Sequence, residues 1–190
     1  MEQKIKINCV IGIDPGASGG IAVFIPGGPT KVAKMPKEIR DLADFFAYYA
    51  ENFKPIIFLE KLSVRPDDIK ADENGKTNMG KLFRVQKMMA NFEHLKALIE
   101  TAEIPYVMVH PRKWMSYLGL IVIRKQGPKE TKQERKNRLK DYAAKNYPQL
   151  NVTLWNADAL NIMHFGRKVL VNEIGWVRAN FPQREHQKLF

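Results

Sequence analysis

IGIDPGASGGIAVF, residues 11–24, is an apolar strand that delivers a single acid, Asp14, into a turn made almost wholly of small residues. Val10, Ile11 and Ile13 read as a buried strand. Pro15, Gly16, Gly19 and Gly20 demand a tight reversal, and Ile21, Ala22 and Val23 resume a second strand. A carboxylate at such a strand end faces open space, where it can hold a cation; the plainer reading is a hairpin whose Asp caps its own turn. The rest of the chain decides between the two.

Working outward, TKVAKM at 30–35 alternates as a third strand, joined through the turn at Gly27 to Pro29, so the chain opens with an antiparallel meander. Ile39, Leu42, Phe45, Phe46 and Tyr49 recur at three and four, which predicts an amphipathic helix over 37–53. PIIFLE, 55–60, is a buried strand whose tip is a second acid, Glu60. Residues 61–78 are polar and form a long loop. A helix over 79–102, with Leu82, Val85, Met89, Phe92, Leu95 and Leu98 as its apolar stripe, leads to a strand at 104–109 and a short helix begun by Pro111. The stretch 123–140 is dense in Lys and Arg, with 123–135 expected to be mobile without a partner, and leads into a helix ending near Tyr147. A last helix opens near Asn156, turns Ala157, Leu160, Ile162, Met163 and Val169 to the core, and holds a third acid, Asp158, in its first turn. From Gly175 a docked segment and a frayed tail are expected. This is the strand, helix, strand rhythm of an α/β fold, read as a single domain over 1–190.

Charge narrows the partners. The 190 residues carry 31 Lys and Arg against 20 Asp and Glu, a net charge of +11, and are 45% hydrophobic, which excludes a disordered chain. A polyanion is the expected partner, and nucleic acid fits better than a membrane surface, because no basic amphipathic helix carries a bulky apolar face to insert. No apolar run approaches a membrane span, and no signal-peptide core is present, so a cytoplasmic location is expected. Cys9 is the only cysteine, read as a buried small hydrophobe suited to a reducing compartment.

Asp14, Glu60 and Asp158 are distant in sequence but can converge at one edge of a sheet. Three carboxylates gathered there repel one another and take up protons unless a hard cation such as Mg²⁺ or Mn²⁺ accepts their oxygens. Two such ions sharing Asp14 align an attacking water and stabilise the leaving oxygen of a phosphodiester. Each acid has a plainer reading: Asp158 favours its helix's positive end, and Glu60 ends a surface strand. Taken together in a basic chain, the three point to a nuclease.

These motifs resemble the RuvC-like Holliday junction resolvases of the RNase H-like superfamily, including their phage relatives. GIDPG and SGG over 12–20 are similar to the family's first acidic strand, and IIFLEK at 56–61 to its second. TNMGKLFRVQKMMANFEHLKALIE at 77–100 resembles the helix that follows, VHPRKW at 109–114 the Pro-containing segment, and NADALNIM at 156–163 the closing acidic helix. The resemblance implies an RNase H-like fold with a central mixed five-stranded sheet flanked by helices, and Mg²⁺-dependent cleavage of branched DNA by a homodimer. It puts Asp14, Glu60 and Asp158 on the metal positions, probing of the branch point on the loop at 62–69 with Leu62, Val64 and Arg65, and a lysine near the scissile phosphate at Lys132, with Lys113 and Lys129 as competitors. The chain departs from the family where another acid or His often stands three residues before the last Asp: here it is Trp155, and an indole cannot bind Mg²⁺. Asn156 or Asn161 is left to supply an amide oxygen, Asn161 being one turn along from Asp158 on the same helical face.

Three rivals stay open: a related nuclease acting on flaps or RNA:DNA hybrids, a non-catalytic protein that binds branched DNA, and an actin- or sugar-kinase-like ATPase, which lacks a second Gly-rich phosphate loop here. The four histidines have no metal-ligand spacing. Trp114, Trp155 and Trp176 read as core residues rather than base-stacking ones. Ser18 has no evident general base.

Overall fold

A computed structural model describes residues 7–16, 18–64, 78–122 and 130–172. Arg65, Lys129, Trp176, most of the expected loop at 61–78, residues 123–129 of the basic stretch and the C-terminal tail lie outside the described residues.

Five strands form one sheet in the order β3-β2-β1-β4-β5: β1 Cys9–Asp14, β2 Gly20–Phe24, β3 Lys31–Lys34, β4 Pro55–Glu60 and β5 Tyr106–Val109. β1, β2 and β3 are the expected antiparallel meander, whereas β4 runs parallel to β1, and β5 parallel to β4, so the sheet is mixed. The helices are α1 Ile39–Asn52, α2 Met79–Thr101, α3 Pro111–Tyr117, α4 Lys132–Asn146 and α5 Ala157–Asn172.

Alternation along the strands divides the core into two layers. Cys9, Ile11, Ile13, Ile57 and Leu59 face one way and pack with Leu42, Phe46 and Tyr49 of α1 and Phe92, Leu95 and Ile99 of α2. Val10, Ile56, Phe58, Val107 and Val109 face the other way, against Trp114 of α3, Leu139 and Ala143 of α4 and most of α5. The reading of α5 holds throughout, since Ala157, Leu160, Ile162, Met163 and Val169 are all buried. Where β1 passes under α5, Gly12 leaves no space for a side chain: a Cβ there would meet the backbone of Ala159 and Met163.

Two helices depart from their expected patterns. In α2 only the second half is buried; Met79 and Phe83, at its start, are 53% and 61% exposed. Periodicity reports an apolar stripe without saying what covers it. α4 begins inside the stretch expected to be mobile, because Thr131 and Glu134 close a capping box over its first turn. Arg138 then ties this helix down, donating to both carboxylate oxygens of Glu130 and to the Leu120 carbonyl.

Candidate metal centre

Register brings two acids together. Ile13 of β1 lies opposite Leu59 of β4, so the next residues, Asp14 and Glu60, end neighbouring parallel strands side by side. Both are on the even-numbered face, with Gly12 and Phe58, and this is the face covered by α5. Met163 and Ala159 sit over Gly12, and further along β1 the start of α5 meets the strand end: Trp155 lies against Gly20, the cross-strand partner of Asp14. Asp158, in the first turn of α5, is near enough for its charge to act on both Asp14 and Glu60. The turn after Asp14 is closed by the Gly19 amide donating to Gly16, and a Cβ on Gly19 would press into the Asp14 backbone.

The electrostatics of this corner are those of acids gathered in a poorly solvated place. Burial, then the Glu60 and Asp158 charges, push Asp14 up to about 8, against the pull of Lys136. Burial also raises Glu60 to about 7, opposed by a hydrogen bond from Trp114 and by Arg135. Asp158 is raised by burial and held back by Lys136 and Arg135. Three hard oxygen donors whose hold on a proton is strengthened when no cation is near have the chemistry of a Mg²⁺ or Mn²⁺ site. They are not yet a closed cage: among the described residues no three acidic, histidine or cysteine side chains are gathered tightly enough to hold an ion.

The remaining expected residues have more varied places. Asn156 is committed to the turn before α5, accepting from the Thr153 amide at 2.8 Å and donating to the Asn151 carbonyl at 3.0 Å. Asn161 is fully buried and donates its amide to the Leu139 carbonyl of α4 at 2.9 Å, while its Oδ1 has no hydrogen-bond partner. Lys132 opens α4 and lines a polar groove with Glu130, Thr131 and Arg135. Among the described residues, the cations whose charge acts on the acids are Lys136 and Arg135, in the next turn of the same helix. Lys113 lines a separate groove with His110, Arg112 and Ser116. Val64, the described tip of the expected probing loop, is exposed. Trp155 is half-buried, with the Lys34 ammonium 5.5 Å from its ring centroid.

Sequence reasoning missed two features. Arg135 and Lys136 stand in the basic stretch, but only the phase of α4 selects them. Trp114 is core, as expected, yet its indole Nε1 donates to Glu60 Oε2 at 2.7 Å. That contact spans 54 positions and leaves no local trace.

The sequence matches no protein-family model and no curated protein. Solved structures do match: Thermus thermophilus RuvC in complex with a Holliday junction substrate is 15% identical, with a TM-score of 0.50 over 86% of this chain and 94% of that one. A second structure of Thermus thermophilus RuvC aligns with the same identity and TM-score, covering 95% of its own chain. The chain has the mixed five-stranded, RNase H-like architecture of these RuvC structures.

Proposed function

We propose that this protein is a metal-dependent endodeoxyribonuclease that cuts branched DNA, four-way junctions in particular, by paired phosphodiester cleavage. What supports the reading is that Asp14 and Glu60 end neighbouring core strands, with Asp158 at the start of α5 in electrostatic reach of both, in a chain of net charge +11. One or two Mg²⁺ ions, or Mn²⁺ in their place, would supply charge neutralisation and Lewis acidity there. Asp14, which feels the charges of both other acids, is the proposed shared ligand, with Glu60 and Asp158 as its partners. Asn161 offers Oδ1 as an amide oxygen. Lys136 and Arg135 take the role expected of Lys132, offsetting charge on the phosphate being cut. The likeness to RuvC bound to a junction supports the choice of substrate, and the open apolar start of α2 supports a homodimer, whose two sites would nick both strands.

A second reading, junction binding without cleavage, is favoured by Trp155 in place of an acid and by the open arrangement of the carboxylates. One assay separates them. Purified protein is incubated with a synthetic four-way junction and a matched linear duplex, with and without Mg²⁺. Paired nicks confined to the junction and dependent on Mg²⁺ are expected. Asp14→Asn is expected to abolish them with junction binding retained. Tight binding with no nicking in any divalent cation establishes the second reading, and full activity in Asp14→Asn removes that acid from the site.

A further inference from the structure

Glu60 has two carboxylate oxygens, and the protein uses one of them itself. Oε2 accepts from the indole of Trp114 at 2.7 Å, a side chain only 1% exposed. Three features hold that donor still. β5 passes into α3 through the single residue His110, which caps α3 by accepting from the Arg112 amide, and Pro111 takes the first helical position. The Trp114 amide donates to the His110 carbonyl, and its own carbonyl accepts from Leu118. The ring sits in the core layer with Phe58, Val109 and Phe165. β5 is registered to β4 with Val109 opposite Glu60, so α3, which carries the donor, starts beside the strand end that carries the acceptor.

A buried indole needs an acceptor, and any carbonyl would satisfy it. Here it takes a carboxylate at the proposed metal centre. A group that holds the far oxygen of a metal-binding carboxylate fixes the torsion of the near one, and loss of such a group weakens metal affinity about 10- to 100-fold. We propose that Trp114 is a positioning residue, clamping Glu60 through Oε2 so that Oε1 is presented alone to a divalent cation. This rests on the reading of Glu60 as a metal ligand. It assigns a function to a tryptophan that would otherwise be only core, and makes Glu60 a one-oxygen ligand.

The test is Mn²⁺ binding, measured by titration calorimetry and by the loss of free Mn²⁺ electron paramagnetic resonance signal, on wild type, Trp114→Phe and Glu60→Gln. Phe keeps an aromatic ring in the core while removing the five-membered ring and its N–H. Trp114→Phe is expected to melt as a folded protein and to bind Mn²⁺ about 10- to 100-fold more weakly, with Glu60→Gln weaker still. Unchanged Mn²⁺ affinity in folded Trp114→Phe, with affinity lost in Glu60→Gln, overturns the clamp and leaves the metal site standing. Unchanged affinity in Glu60→Gln removes Glu60 from the site, and the clamp with it. Should Trp114→Phe not fold, ¹⁵N-labelled wild type decides: the Trp114 indole cross-peak is expected to shift with Mg²⁺ along the same saturation curve as binding. An indole peak that stays fixed while Mg²⁺ binds overturns the clamp.

Discussion

Asp14 and Glu60 are raised to about 8 and about 7 from ordinary values of 3.8 and 4.5, so the metal-free folded state holds protons that the unfolded chain releases. Stability then falls as pH rises through those windows. His164 works the other way: burial lowers it to about 4 from 6.5, so its contribution is complete above 6.5 and fades as pH drops toward 4. Between pH 6.5 and 8, of these three groups only the carboxylates still change stability. In EDTA the melting temperature is expected to decline across that interval, and saturating Mg²⁺ to restore it; a flat profile in EDTA would show that the acids are already compensated. That Asp14 and Glu60 stand at strand ends was legible in the sequence, because each carboxylate closes an apolar run. Their partners were not. Whether Lys132 or Lys136 faces Asp14 depends on helix phase, and Trp114 meets Glu60 only because β5 is registered beside β4.

At the scale of elements, α5 rests tightly on β1. Gly12 allows the helix backbone to rest directly on the strand, and this contact sets how far Asp158 stands from Asp14. Gly12→Ala must displace backbone rather than a flexible side-chain tip, so a cost of about 3 kcal/mol or more is expected, read as a lower denaturation midpoint. A loss below about 1 kcal/mol would mean that α5 slides easily, and that the acid spacing is not fixed there. The strands and α5 were legible because their patterns are nearly saturated with Val, Ile, Leu and Ala. α4 was read less well. A highly charged stretch looks mobile until Thr131 and Glu134 cap it and Arg138 finds Glu130, and neither the cap nor the ion pair depends on hydrophobic period.

For the whole molecule, two properties of the surface lead to measurable behaviour. A net charge of +11 favours phosphate contacts, and a protein that neutralises about six of them loses roughly a thousandfold in affinity between about 50 and 200 mM salt. Junction binding followed by fluorescence anisotropy is expected to show that slope, and affinity indifferent to salt would contradict a phosphate-dominated interface. The start of α2, with Met79 and Phe83 outside the core, is the expected seat of a second copy. Phe83→Glu is expected to convert a dimer into a monomer in sedimentation equilibrium with little change in melting temperature, because Phe83 is 61% exposed and belongs to neither core layer of the described residues. A wild-type chain that is monomeric at tens of micromolar would refute this seat.

Cys9, the first residue of β1, is 0% exposed, and burial pushes its thiol up to about 12. Thiolate is the reactive form, so maleimides and spin labels have almost nothing to attack at neutral pH. The natural chain is therefore chemically silent toward such reagents. A cysteine engineered at an exposed position such as Lys132 can carry a dye or nitroxide with no need to remove the native one. Fluorophore pairs or dipolar distances across an assembled complex then become accessible from a single substitution.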